Sequence, residues 1–402
     1  MADFHQGGVI TTLHRLGRQD RGRLEDELRR FAPERPLALI LPALASEMDG
    51  PALAGILEEL KGADYVGQVV VTLGRAGRED FQRARRFFSR LPQPLVILHN
   101  DGPRLTALLE ELARAGVSIG QEGKGRAVWL ALGYVLAKGR SRCVALHDCD
   151  IVGYDRLLLG RLAYPLMNPR LDYQFCKGYY ARVAGRMYGR VTRLFVLPLL
   201  RALRRVLGPL PLLEFLESFR YPLSGEFAMD LDLARLNRVP ADWGLEVGVL
   251  SEVFRNLNPR RVCQVDLADS YEHKHQALSP ADPGQGLARM CTEIGTTILR
   301  SLAADGVELT RGHLRALEAA YVRLAEDLVA SYAADAALNG LAFERHQEEL
   351  AVDTFLHGLA RACHQFLEDP RGRSALSNWN RVRSAAPEIL PRLVQAVEAD
   401  NS

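Results

Sequence analysis

The chain is short of several things that usually betray a function. Cysteine is sparse: the 402 residues hold six, at Cys143, Cys149, Cys176, Cys263, Cys291 and Cys363, with no Cys-x-x-Cys pair and no Cys/His finger spacing. A zinc ribbon is therefore excluded, and a disulfide framework is unusual in a chain this long, so a reducing cytoplasm is the expected location. Charge of one sign is missing as well. With 51 basic and 49 acidic residues the formal charge is +2, which gives no global electrostatic case for a nucleic-acid or membrane-surface partner. Any anion has to be held by a local site. Long apolar runs are absent: the most lipid-like stretch, Leu194 to Leu200, is seven residues and is followed by Arg201, Arg204 and Arg205, where a spanning helix needs about 20. The start, Met1 to Gly8, lacks a basic region followed by an apolar one, so no secretory signal is expected. Lysine is scarce too. Only Lys61, Lys124, Lys138, Lys177 and Lys274 occur, so nearly all positive charge is arginine, and Lys124 and Lys177 are less readily dismissed as surface filler.

What remains, 48% hydrophobic and 25% charged residues with 34 Gly and 20 Pro, is the composition of a folded globular chain. Its first half alternates short apolar runs (Leu37 to Leu41, Val69 to Leu73, Leu95 to Leu98, Cys143 to His147) with segments apolar at intervals of three and four: Pro51 to Lys61, Arg78 to Arg90, Pro103 to Ala115 and Gly125 to Ala137. That is the pattern of βαβ units around a mostly parallel sheet, which binds ligands at the carboxyl ends of its strands. A mixed middle has a strand-like run at Tyr173 to Lys177 and an Arg-bearing apolar helix near Leu194 to Leu207. After a boundary near Pro280 to Pro283 the periodicity becomes helical, near Leu287 to Ala303, Leu314 to Ala337, Glu348 to Leu367 and Ala386 to Ala399. The expected division is an N-terminal segment 1–36, a Rossmann-like part 37–152, a second part 153–280 and a helical C-terminal extension 281–402.

Five constellations could carry chemistry, the fifth being a pair of similar segments. In Leu146-His147-Asp148-Cys149-Asp150-Ile151, two carboxylates follow an apolar strand. They suit a hard divalent cation that neutralises a nucleoside-diphosphate leaving group, or equally Asp148 caps the next turn and Asp150 is solvated. Tyr271-Glu272-His273-Lys274-His275-Gln276 offers imidazoles for a metal or a phosphate, although loop histidines are usually bystanders. Gly123-Lys124-Gly125-Arg126 leads into a helix, where glycines allow close approach and amides favour anions, but it lacks the spacing and the hydroxyl of a P-loop. Tyr188-Gly189-Arg190-Val191-Thr192 can grip a phosphate or carboxylate. Taken alone, an interhelical salt bridge with a capping threonine is the simpler reading. Tyr221-Pro222-Leu223-Ser224-Gly225-Glu226 and Trp243-Gly244-Leu245-Glu246-Val247-Gly248 each put a carboxylate beside glycine in a turn, near enough to meet sugar hydroxyls or simply solvated.

Together and in this order, with Pro42-Ala43-Leu44 after the first strand, the motifs resemble the glucosyl-3-phosphoglycerate synthase family of retaining glycosyltransferases, from about Ala38 to about Leu278. The resemblance implies an α/β chain with a GT-A, Rossmann-like sheet flanked by helices. It implies transfer of glucose from UDP-glucose to the 2-hydroxyl of 3-phosphoglycerate with retention, Mg2+ or Mn2+ as cofactor, and a cytoplasmic homodimer. By position, Pro42, Ala43, Leu44 and Glu47 would face the uridine, Lys124 would lie along the nucleotide, and Asp148, Asp150 and His273 would serve the metal, with Asp148 also near the ribose. Glu246 would hydrogen-bond the donor sugar. Gly189, Arg190, Thr192 and His275 would bind the acceptor, and Pro222 to Glu226 would line the reaction centre. Asp150, Glu226 and Glu246 are the expected catalytic carboxylates. Three positions depart from the family: Ala45-Ser46-Glu47 replaces an acidic cluster, Trp243 a tyrosine and His275 an asparagine.

The competing expectations are a mannosyl donor, or free glycerate as acceptor, on the same fold. A nucleotidyltransferase also builds an acidic metal site on a Rossmann-like sheet, but needs a Gly-rich basic signature that Pro42-Ala43-Leu44-Ala45 does not supply.

Overall fold

A computed structural model describes residues 5–17, 19–269, 278, 285–372 and 375–402. Among them are eight strands: β1 (Thr11–Leu13), β2 (Leu37–Leu44), β3 (Val66–Gly74), β4 (Leu95–His99), β5 (Cys143–Leu146), β6 (Phe175–Tyr180), β7 (Phe227–Asp230) and β8 (Val262–Ala268). They form one sheet in the order β1-β8-β6-β7-β5-β2-β3-β4. All neighbours run parallel except β7, which is antiparallel to both β5 and β6. The mostly parallel sheet read from the first half thus continues into the middle of the chain and turns mixed there.

The central strand explains the layers. Every residue of Leu37–Leu44 is apolar, the mark of a strand covered on both faces. Ala38 and Ile40 join one core, which includes Trp129, Leu199 and the C-terminal helices. Leu37, Leu39, Leu41 and Ala43 join the other, with Leu28, Leu57, Phe81 and Leu159. The strand also opens a cleft. Pairing of β2 with β5 ends at Ile40↔Leu146, while pairing with β3 continues to Leu44↔Gly74. Pro42, with no N–H to donate, lies beyond the last β5 partner, where the sheet needs no donor. From β2 the chain proceeds to β3 on one side, and from β5 it proceeds to β6 on the other. The carboxyl ends of β2 and β5 therefore flank a topological switch point, where doubly wound sheets bind ligands.

The extension after residue 285 comprises the helices Gly286–Ala304, Arg311–Leu338, Arg345–Glu368, Trp379–Ala385 and Ile389–Asn401. The periodic run from Ala386 to Ala399 is mainly the last of these, which a break separates from Trp379–Ala385. The extension is packed on the sheet layer. Trp379 stacks on Trp129, ring centroids 4.5 Å apart, over Gly133, where a Cβ would lie 2.0 Å from the Trp379 ring. The Asn401 amide donates to Ile97 O (2.8 Å) and its carbonyl accepts from Ile97 N (3.0 Å), so the chain's end covers the edge strand β4. Among the described residues no helix is long and apolar enough to cross a membrane.

Replacing Trp379, buried at 1% exposure, by alanine should lower unfolding stability by about 3–5 kcal/mol, read from urea denaturation. A loss below about 1 kcal/mol would mean that the Trp129–Trp379 stack is not a core contact.

Candidate active site

The strand ends at Leu146 and the chain bends at Cys149, which is buried in the core, while Asp148 and Asp150 on either side of it are half-buried. His147 supports this turn without joining the chemistry. Burial pulls its imidazole down to about 4, so it is neutral at working pH. Its Nδ1–H donates to Asp148 O (3.2 Å) and its Nε2 accepts from the Tyr154 hydroxyl (3.1 Å).

Lys124 comes from the other side of the cleft, as the first residue of the helix Lys124–Lys138. Gly125 lets that helix start where it does, since a Cβ there would lie 1.9 Å from Pro240 O. The Lys124 Nζ reaches Asp148 Oδ1 at 2.6 Å and Glu246 Oε1 at 3.3 Å. Burial lowers the ammonium's pKa, but Asp148 and Glu246 outweigh it and hold the lysine charged, above its ordinary value. Glu246 is not in a turn, as its glycine neighbours suggest. It lies in the first turn of the helix Leu245–Asn256. Gly248 serves close packing instead, with a Cβ there 2.2 Å from Pro240 Cγ.

Glu226 likewise belongs to a sheet end rather than an open turn, one residue ahead of β7 and fully buried. Its Oε2 accepts from the Tyr180 hydroxyl (2.7 Å) and its Oε1 from Asp148 N (3.5 Å). Gly225 permits this approach, because a Cβ would lie 2.3 Å from Asp148 Oδ2. Beneath the same loop Lys177 is 1% exposed, and its Nζ donates to Ser224 O at 2.5 Å. Burial lowers Lys177 to about 8 against the pull of Glu246 and Glu226.

Glu47 follows β2 and turns back on its own backbone, Oε2 accepting from Leu44 N (2.9 Å). Burial raises it to about 7, and Asp150 and Asp148 add to the rise. Pro42, Ala43 and Leu44 form the end of β2 on this rim. Five carboxyls, Glu47, Asp148, Asp150, Glu226 and Glu246, thus act on one another with the two ammonium groups Lys124 and Lys177. Such an excess of hard oxygen donors fits a divalent cation. Among the described residues no group of three His, Cys, Asp or Glu converges on a metal position. His273 and His275 lie outside the described residues.

The Gly-Arg-Val-Thr motif sits apart from the acidic cluster but is wired to it. Gly189, at φ 72°, takes a conformation that favours glycine. Arg190 then leads into a π-helical turn, Val191–Val196, that continues as the helix Leu197–Leu207. Pro198 cannot donate to Leu194 O four residues back, and the Tyr321 hydroxyl does so instead (2.7 Å). Thr192 and Arg182 hydrogen-bond the Tyr221 hydroxyl, whose ring packs edge-on to Tyr180, the partner of Glu226. Arg190 Nε pairs with Glu348 Oε1 at 2.7 Å, the interhelical salt bridge that its sequence context favoured. Sequence reasoning missed Tyr180 and Glu348, and named Tyr221 only as the start of the Pro-Leu-Ser-Gly-Glu segment. The scarcity of lysine was a usable signal for Lys177.

No protein-family model matches the chain. The glucosyl-3-phosphoglycerate synthase of Persephonella marina is 46% identical over 402 residues, 100% of this chain and 100% of that protein. The one of Methanococcoides burtonii is 38% identical over 403 residues, 99% of this chain and 98% of that protein. The crystal structure of the Mycobacterium tuberculosis glucosyl-3-phosphoglycerate synthase with Mn2+, UDP-glucose and phosphoglyceric acid has a TM-score of 0.54 at 24% identity, covering 75% of this chain and 89% of that one. Mannosyl-3-phosphoglycerate synthase from Rubrobacter xylanophilus has a TM-score of 0.53 at 22% identity, covering 71% of this chain and 80% of that one. These structures carry the fold, and the mixed sheet flanked by helices is the GT-A fold.

The depressed Lys177 fixes a sign for stability. Between about 8 and its ordinary 10.5 the folded chain holds this proton less than the unfolded chain does, so the group adds stability as pH rises through that window. Thermal unfolding at pH 7.5 to 10 should show the Lys177→Met variant losing this increment relative to the native protein. Parallel profiles would mean that Lys177 titrates normally.

Proposed function

Because the chain belongs to the glucosyl-3-phosphoglycerate synthase family, we propose that it transfers glucose from UDP-glucose to the 2-hydroxyl of 3-phosphoglycerate, retaining the anomeric configuration. The observation that carries this is the Lys124–Asp148–Glu246 contact at the switch point, which joins the nucleotide, metal and sugar motifs in one cleft. Pro42, Ala43, Leu44 and Glu47 face the uridine, Lys124 lies along the diphosphate, and Glu246 takes a sugar hydroxyl. Gly189, Arg190 and Thr192, with His275, hold the acceptor through its phosphate, since guanidinium and hydroxyl donors suit that group. Asp150 and His273, with Asp148 beside them, would hold Mg2+ or Mn2+, which would supply positive charge to stabilise the departing UDP.

The protein's own groups favour front-face displacement. Glu226 already accepts from Tyr180 and from Asp148 N, and Glu246 is engaged by Lys124. Neither is an unencumbered nucleophile for a double displacement. Lys124 steadies the leaving diphosphate as its glycosidic bond breaks. Arg190 and Thr192 keep the acceptor hydroxyl on the same face, and a diphosphate oxygen takes its proton. In this reading 37–152 is the donor part, 153–280 completes the acceptor side, and 281–402 supports both. The enzyme works as a homodimer in the cytoplasm, in keeping with six free, buried cysteines.

Purified protein with Mg2+, UDP-glucose and 3-phosphoglycerate should yield glucosyl-3-phosphoglycerate by mass spectrometry and phosphorus NMR, with an α-anomeric proton signal. Free glycerate or GDP-mannose in place of either substrate should yield far less product. The Lys124→Met variant should lose about 10²-fold or more in kcat. Release of UDP without a new glycoside would overturn the acceptor assignment.

A further inference from the structure

The helical extension reaches the acceptor motif with a buried charge. Glu348 lies on the helix Arg345–Glu368, 4% exposed, and its two oxygens take different arginines. Oε1 accepts from Arg190 Nε (2.7 Å) and Oε2 from Arg193 Nη2 (2.9 Å). The two arginines are not equivalent. Arg193 is the more heavily bonded: its Nε donates to Tyr188 O (2.9 Å), its Nη2 also faces Met187 O (3.4 Å), its guanidinium lies over the Tyr332 ring, and its buried Nη1 has no hydrogen-bond partner among the described residues. Among the described residues Arg190 has Glu348 alone as a bonding partner, through Nε, and its side chain keeps 30% exposure. The extension also grips the loop ahead of the motif, where Ala342 N donates to Gly185 O (2.9 Å).

A guanidinium held at Nε by a buried carboxylate has its orientation set from behind and its two terminal nitrogens left for a second anion. We propose that Glu348 is a positioning residue of the acceptor site. It pins Arg190 so that the Nη edge meets the phosphate of the acceptor, and the C-terminal extension thereby becomes part of acceptor recognition. This rests on the reading that Arg190 holds the acceptor phosphate. Two effects of the carboxylate oppose each other. Its charge alone would weaken phosphate binding by Coulomb repulsion, whereas its grip on Nε strengthens binding by removing the cost of ordering a long side chain. With Arg193 supplying a second positive charge to the same carboxylate, the ordering effect prevails.

The test is a double-mutant cycle on the full-length enzyme, reading KM for each substrate separately. Glu348→Gln should raise the KM for 3-phosphoglycerate about tenfold and leave that for UDP-glucose within about twofold. Arg190→Gln should raise the acceptor KM at least as much, and the double variant should be no worse than Arg190→Gln alone. Glu348→Asp, which keeps the charge, should fall between the native enzyme and Glu348→Gln, and it serves for the cycle if the glutamine variant does not fold. An acceptor KM that falls or stays unchanged in the Glu348 variants, while Arg190→Gln raises it, overturns the role of Glu348 and leaves the acceptor assignment intact. An Arg190→Gln variant with native acceptor KM overturns the assignment, and the inference with it.

Discussion

The contact on which the rest of the molecule turns is the ammonium of Lys124 set between the carboxylates of Asp148 and Glu246. It ties together the start of one helix, the segment just after β5 and the first turn of a second helix. As a stabilising device the arrangement is poor, because taking charges out of water offsets most of their mutual attraction. Its value is chemical. It holds a positive charge at a switch point otherwise dominated by carboxyls, the charge that the proposed function sets beside the diphosphate of the sugar nucleotide.

Much else in the fold serves to let that contact form. Gly125, Gly225 and Gly248 stand where a Cβ would collide with Pro240, Asp148 or Pro240 again, so three of the motif glycines are matters of close approach rather than of turn formation. Pro42 sits where β2 has outrun its neighbour β5. Lys177 and Ser224 lock the floor of this cleft, lysine to carbonyl and hydroxyl to Gly178 O. Tyr180 and Tyr221 then link that floor to the Gly-Arg-Val-Thr segment.

From β2 to β5 this architecture was legible in the sequence because its strands are mostly apolar runs separated by periodic helices, whereas β1, three residues at the sheet's edge, and the helix Arg21–Phe31 were not read from the N-terminal segment. Beyond β5 the local signal weakens. Phe227–Asp230 is only four residues long, Val262–Ala268 carries a buried Gln264 in its middle, and the helix Arg156–Met167 contains Pro165. Tertiary packing decides those elements, and no window of sequence contains it. The same holds for the site. Asp148 and Asp150 were readable because a strand end is a local event, while Glu246 and Glu226 were misjudged as turn residues because glycine signals a turn unless one knows what lies against it. The partner of Arg190 lies 158 residues away. A salt bridge could be favoured from sequence, but its acid, and hence the tie from the C-terminal helices to the Gly-Arg-Val-Thr segment, could not be named.

In the proposed function the carboxylates after β5 form the metal end of a sugar-nucleotide site. Electron paramagnetic resonance of Mn2+ titrated into the protein in the presence of UDP tests it most directly. Tight Mn2+ binding that depends on UDP and is weakened by about tenfold or more in Asp150→Asn is expected. Mn2+ binding that ignores UDP, or that the Asp150→Asn substitution leaves unchanged, would contradict it.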